Sequence, residues 1–230
     1  MGAHVRRPQV ISSVAHDMAR GGIPLRKGTT SDPIRCAILL SGSGSGMHAM
    51  VVHQQTKPHC GHITAVVISD QPEATGLIKA ERLGIPTHSL PLPEESDREL
   101  RRHKHETLVQ QLLEQYDIEL ILLSGYMRLV SARFVERWAP RILNIHPSLL
   151  PSFPGAHAHR DVLAAGVEVS GCTVHYVDAG MDSGEILGQR RVPVFAGDDE
   201  TTLAERVKVE EHQLYPKVID ELVTAPQNQV

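Results

Sequence analysis

The chain has 230 residues, 41% of them hydrophobic, and a formal net charge of −4 with histidines neutral. That length supports one α/β domain with a sizeable core and is short for two large ones. The mildly acidic balance argues against broad nucleic-acid binding, which needs a basic surface, and no apolar run approaches the ~18 residues of a membrane helix. Cys36, Cys60 and Cys172 are odd in number and widely spaced, as in a cytoplasmic protein with reduced thiols rather than a disulfide framework or zinc site.

Residues 1–33 carry Arg6, Arg7, Arg20, Arg26 and Lys27, few acids and no apolar segment of the secretory kind. An Arg-rich, acid-poor stretch has something of a transit peptide. The punctuation at Gly21, Gly22, Pro24, Gly28 and Pro33 reads more simply as linker, so a loosely ordered extension is expected. A single catalytic domain is expected over 34–224, with a short tail at 225–230.

Cys36 to Leu40 is a short apolar run closed by Gly and Ser, the pattern of a buried parallel strand, and a helix should follow the glycines. Ile63 to Ser69 is a second strand, Ala74 to Leu83 a helix closed by Gly84 and Pro86, and Pro86 to Leu90 a short third strand. Glu95 to Tyr116 reads as a long helix with a stripe of Leu108, Leu112 and Leu113. Ile118 to Ser124 is a strongly apolar strand, Ser131 to Trp138 a short helix with Ser131 as N-cap, and Arg141 to Ile145 another strand. Beyond a Pro-rich loop, Thr173 to Val177 and Ile186 to Val194 read as strands, and Glu200 to Val223 as a final helix capped by Asp198 or Asp199. Alternating strands and helices imply right-handed βαβ units: an α/β fold with a mostly parallel twisted sheet flanked by helices, Rossmann-like in its N-terminal half.

Three segments carry chemistry. Leu40-Ser41-Gly42-Ser43-Gly44-Ser45-Gly46 follows the first strand and opens a helix, where free N–H groups favour an anion such as phosphate. It is neither a dinucleotide fingerprint nor a Walker loop: the third glycine of the first is replaced by Met47, and the Lys-Ser/Thr of the second is missing. Asn144 and His146 stand two apart at the end of a strand, so they share a face. An amide donor beside a titratable imidazole suits acyl transfer, although such a pair is more often structural. Asp178 and Asp182 lie in a Gly-flanked turn, a usual turn composition, from which a carboxylate could also orient His146. His59, Cys60 and His62 form one local cluster and His157 with His159 another; neither has a familiar metal-ligand spacing, and no metal is expected.

Taken together, ILNIHPSLLPSFPG (Ile142 to Gly155) with His157, His159 and Arg160, SGYMRLVS (Ser124 to Ser131), SGCTVHYVDAGMDSG (Ser170 to Gly184) and VPVFAGDDETTLAERVKVEEHQLYP (Val192 to Pro216) resemble the folate-dependent phosphoribosylglycinamide formyltransferases. The resemblance runs from about Arg35 to about Leu222. It implies transfer of formyl from 10-formyltetrahydrofolate to the amine of glycinamide ribonucleotide in purine synthesis, with no metal and no covalent enzyme intermediate. It implies a catalytic trio of Asn144, His146 and Asp182. Gly44, Ser45 and Gly46 would hold the ribonucleotide phosphate, with Glu211 and Lys208 near its ribose and amine. Met127, Arg128, Leu129 and Val130 would line the folate pocket together with Asn144, Arg102 would approach the cofactor, and Val177, Asp178 and Asp182 would close over the pterin. By composition alone, Met127 and Leu129 read as core, and Glu211 as a solvated helix charge.

One position departs from the family pattern: Gly46 stands where Asn is usual. Read as a simple loss of a donor, the change weakens the ribonucleotide roughly tenfold or more, and Gly46→Asn should tighten it. Small molecules are the expected partners, without nucleic acid or membrane, in a monomer or homodimer. Two alternatives stay open: formyltetrahydrofolate deformylase, which resembles this chain in the HPSLLPSFPG stretch, and a non-catalytic nucleotide- or folate-binding protein on the same fold.

Overall fold

The computed structural model describes residues 25–224. Most of the expected extension, residues 1–24, and the tail 225–230 lie outside the described residues. Seven strands, β1 (Ile34–Leu40), β2 (His62–Ser69), β3 (Thr87–Ser89), β4 (Leu120–Leu123), β5 (Ile142–His146), β6 (Val169–Tyr176) and β7 (Ile186–Pro193), form one sheet in the order β3-β2-β1-β4-β5-β6-β7. The first five are parallel, and β6 and β7 add an antiparallel edge. The sequence direction of the strand order reverses between β1 and β4. Open α/β sheets place their ligand crevice at such a switch point, outside the strands' carboxyl ends.

Helices cover both faces, as the apolar runs of the parallel strands require. Ile34, Cys36, Ile38 and Leu40 of β1 pack with Met47, Met50 and Val51 of α1 (Ser45–Thr56), Leu77 of α2 (Thr75–Arg82), and Val207, Leu214 and Ile219 of α6 (Glu200–Thr224). The alternate residues Ala37 and Leu39 turn the other way, toward Val109 and Leu113 of α3 (Arg98–Gln115) and Phe134 and Trp138 of α4 (Ala132–Trp138). This alternation follows from the period of two along a strand.

The expected elements recur with shifted ends. Ser131 caps α4 by accepting from the Phe134 N–H, and Asp199, rather than Asp198, accepts from the Thr202 N–H at the start of α6. Asp97 caps α3, which therefore begins at Arg98, three residues after Glu95. The buried stripe of α3 is His105, Val109 and Leu113; Leu108 is exposed, so the expected stripe is displaced around the helix. Strand β6 begins at Val169, four residues before the expected Thr173, and α5 (Ala158–Ala164) occupies a stretch given no element from sequence.

Residues 25–33, expected as part of a loose extension, are packed onto the domain. Arg26 makes a two-pronged pair with Glu119, at 2.5 Å and 2.9 Å, and also reaches Asp32. The Gly28 N–H donates to the Val223 carbonyl at 3.1 Å. Glycine is needed here for space, because a Cβ would lie 1.9 Å from the Gly61 carbonyl oxygen. The linker-like composition thus reflects a tight backbone approach.

Candidate active site

Two loops meet at the switch point. After β1, Gly44 sits at φ +67 as the N-cap of α1, and a Cβ there would lie 2.6 Å from the Gly76 Cα. Only glycine meets both demands at low cost. No side chain caps α1 and no acid lies in its first turn, so the N–H groups of its first turn stay open to an anion. Lys79 anchors the loop by donating to the Ser43 carbonyl at 2.8 Å, and His48, Arg82 and His212 join it around a basic depression beside Ser45.

After β4, the 124–130 loop is tied to the β1 loop: Ser41 N–H donates to Gly125 O at 3.0 Å, and Met127 N–H donates to Ser41 Oγ at 2.9 Å. Beneath them sits Asp70, buried at the end of β2, which accepts from Ser41 Oγ at 2.5 Å and Arg128 Nε at 2.7 Å. Burial alone would raise the Asp70 carboxyl; the bonds from Ser41, Arg128 and Gln71 outweigh it and hold it low. Asp70 was not singled out in the sequence, and a carboxylate before Gln-Pro gives no signal there beyond a turn. Met127 and Leu129 are 62% and 60% exposed, so they are not the core residues that composition suggested. Arg102 is exposed on α3, and its side chain makes no hydrogen bond or ion pair among the described residues. It stands one turn before Glu106, which holds Ser131 N–H and Oγ at the end of the same loop, so the two share a helix face.

The trio converges beyond the end of β5. His146 is buried; its Nε2 lies 2.9 Å from the Phe153 carbonyl oxygen and its Nδ1 3.3 Å from Asp182 Oδ2. A carbonyl can only accept, so Nε2 carries a proton, and Nδ1 faces a carboxylate. Asp182 also accepts from the Gly155 N–H at 2.8 Å, which pins the 177–184 loop to the Pro-rich loop. Both residues that hold the imidazole are left-handed, Phe153 at φ +56 and Asp182 at φ +51. Non-glycine residues in that region cost ~1–3 kcal/mol each and cluster at functional sites. In the same loop, Val177 N–H donates to Ile142 O at 2.9 Å, and Asp178 accepts from Gly180 N–H and Ser183 Oγ.

Asn144 is positioned by a residue missed in the sequence. His175 on β6 lies directly opposite Asn144 in the antiparallel register. Its Nδ1 donates to the Tyr176 carbonyl at 2.8 Å, leaving Nε2 bare to accept from Asn144 Nδ2 at 3.2 Å. Burial pushes the His175 pKa down, favouring this neutral form. One amide N–H of Asn144 is thereby fixed, and the other is available to a ligand. Only the β5–β6 pairing reveals this.

On α6, the Glu211 carboxyl is pushed up to about 7 by burial, against the opposing pull of Lys208 one turn earlier. It has no hydrogen bond or ion pair among the described residues, unlike a solvated helix charge. A half-buried, unpaired acid with a raised pKa is a candidate for a functional site. At position 46, a Cβ would stand 2.4 Å from Ser124 Oγ, so an added side chain requires that hydroxyl to turn away.

Away from the cleft, His53, Cys60, His62 and Asp220 bring potential metal-ligand atoms within 4.8 Å of one another. His59 of the sequence cluster is not among them. Three cationic or titratable groups face the Asp220 carboxylate: Lys57 lies 2.6 Å from it, and His53 and His62 lie 2.8 Å and 3.1 Å from it. The Gln54 oxygen accepts from Thr64, so its amide N–H donates to His62 Nδ1 and the imidazole proton resides on Nε2, toward Asp220. No helix among the described residues is long and apolar enough to cross a membrane.

Comparison with known proteins identifies relatives of this chain and of its fold. The formyl transferase family model matches residues 34–219. The chain is 41% identical over 184 residues to the phosphoribosylglycinamide formyltransferase of Escherichia coli (strain K12), covering 79% of this chain and 84% of that protein. It is 42% identical over 187 residues to the trifunctional purine biosynthetic protein adenosine-3 of Bos taurus, covering 80% of this chain but only 18% of that much longer protein. Its fold superposes on the crystal structure of phosphoribosylglycinamide formyltransferase from Brucella melitensis with a TM-score of 0.77 at 42% identity, covering 84% of this chain and 97% of that one. With the family model spanning nearly the whole described domain, the chain belongs to the formyl transferase family.

Proposed function

We propose that this protein transfers the formyl group of 10-formyltetrahydrofolate to the amine of glycinamide ribonucleotide. The observation that carries the reading is the meeting of Asn144, His146 and Asp182 at the end of β5, beside an uncapped helix start at the sheet's switch point. One substrate needs an anion cradle, the other a formyl-polarising group, and this crevice offers both.

The phosphate binds at Gly44, Ser45 and Gly46, and Lys208 and Glu211 hold the ribose and amine end. The folate lies along Met127, Arg128, Leu129 and Val130, with Arg102 approaching it and Val177 and Asp178 closing over the pterin. The amine attacks the formyl carbon directly, and negative charge develops on the formyl oxygen. The free N–H of Asn144 and the His146 imidazole stabilise that oxygen. In the resting geometry the His146 Nε2–H donates a hydrogen bond to the Phe153 carbonyl, and on ligand binding the same N–H, its proton kept on the ring, turns to the formyl oxygen. Asp182 keeps the ring oriented through the exchange. As the tetrahedral centre collapses, the C–N bond to the folate breaks, the attacking nitrogen loses a proton, and the folate nitrogen gains one. Holding both substrates in register supplies much of the acceleration. No metal enters the reading.

Mass spectrometry of the products tests this route. Formyl on the glycinamide nitrogen, with the protein's intact mass unchanged throughout turnover, is the expected result. A protein mass raised by a formyl group would overturn direct attack, and formate as the only one-carbon product would replace transfer by hydrolysis.

A further inference from the structure

Gly46 and Ser124 have to be read as a pair. Outside its own helix backbone and chain neighbours, the only atoms within 4 Å of a Cβ built on Gly46 are Ser124 Oγ at 2.4 Å and Ser124 Cβ at 3.8 Å. The space above Gly46 is thus open except for one hydroxyl. The Ser124 backbone is held at the carboxyl end of β4, where its N–H donates to Leu39 O at 3.0 Å. Its hydroxyl makes no hydrogen bond among the described residues. Two other serines of these loops are committed elsewhere, Ser41 Oγ to Asp70 and the Met127 N–H and Ser131 Oγ to Glu106, while the Ser43 and Ser45 hydroxyls, like that of Ser124, have no partner among the described residues. Ser124 is half-buried and lies against the first turn of α1, which no side chain caps.

We propose that Ser124 is an acceptor-binding residue of this chain, its hydroxyl occupying the space of a side chain at position 46 and donating to the ribonucleotide phosphate held by the Gly44–Gly46 turn. The inference rests on the function proposed above and deepens it. It couples the two positions: a side chain at residue 46 turns the Ser124 hydroxyl out of its present rotamer, so one donor replaces the other at the phosphate. Gly46 is then not a loss of affinity but one half of an exchange. The hydroxyl is short and its backbone is anchored in the sheet, so it delivers a donor with little side-chain entropy to lose.

A double-mutant cycle tests this with purified full-length chain, measuring KM for glycinamide ribonucleotide and for 10-formyltetrahydrofolate separately, and the melting temperature of each variant. Ser124→Ala should raise the ribonucleotide KM about tenfold, the loss of one hydrogen bond to a charged group, with the folate KM and melting temperature unchanged. Gly46→Asn alone should give no tightening, because the new side chain must displace the hydroxyl. Gly46→Asn in the Ser124→Ala background should recover most of the loss, since the vacated space admits the carboxamide. A ribonucleotide KM within twofold of wild type in Ser124→Ala, or strictly additive effects in the double variant, would overturn the exchange while leaving the transferase reading intact. Wild-type protein that neither turns over nor binds the ribonucleotide in equilibrium dialysis would overturn both.

Discussion

Replacing Glu211 by glutamine separates stability from function at one atom. Burial raises the Glu211 carboxyl from 4.5 to about 7, so the folded chain holds a proton that the unfolded chain releases. The folded state therefore suffers no penalty below about pH 4, loses stability as pH climbs from there to about 7, and stays at its reduced level above. The full shift corresponds to at most ~3 kcal/mol, and the side chain's remaining solvent contact discounts it to ~1–2 kcal/mol. An amide of the same shape removes the charge that burial penalises. At ~2–4 °C per kcal/mol for a domain of this size, Glu211→Gln should raise the melting temperature at pH 8 by ~2–8 °C, and at pH 5 by only about a quarter as much. The ribonucleotide KM should rise in the same variant. Thermal unfolding followed by circular dichroism at the two pH values, with steady-state kinetics alongside, reads both effects. A variant that is destabilised at pH 8, or equally stabilised at both, would show that Glu211 is not held against its own solvation.

Asn144→Ala, His146→Ala and Asp182→Ala should each lower kcat by two orders of magnitude or more, with circular dichroism unchanged, as expected for groups acting on a developing oxyanion; near-normal turnover in all three would remove the trio from the chemistry. Asp70→Asn weakens the joint between Ser41, Arg128 and the 124–130 loop. It should raise the folate KM more than the ribonucleotide KM, and the opposite order in steady-state kinetics would move that loop out of the folate site. Gly28→Ala forces a Cβ onto the Gly61 carbonyl and should cost ~2 kcal/mol or more in denaturant unfolding; a neutral effect would mean that residues 25–33 do not pack on the domain in solution.

The sheet was legible because buried parallel strands leave continuous apolar runs, and Cys36 to Leu40, Ile63 to Ser69 and Ile118 to Ser124 are such runs between turn residues. Asn144 and His146 could be placed on one face because a strand alternates by two. What escaped sequence reading depends on pairing across the chain. His175 meets Asn144 only through the antiparallel β5–β6 register, and Asp70 meets Ser41 only because β1 and β2 are neighbours. The conflict between position 46 and Ser124 spans 78 residues and is steric, with no local pattern to mark it. Helix α5 was obscured by the Pro- and Gly-rich motif before it, and the α3 stripe was misplaced because its buried face includes His105, a residue that reads as polar. In residues 25–33, glycine serves close packing, while the same composition in sequence suggests a flexible link.

The decisive measurement is the cofactor absorbance change when purified protein meets 10-formyltetrahydrofolate with and without glycinamide ribonucleotide. Consumption that requires the ribonucleotide and saturates with it is the outcome expected of this site. Consumption at the same rate without it would identify a hydrolase of the cofactor, and none under either condition would contradict the assignment of Asn144, His146 and Asp182 to formyl transfer.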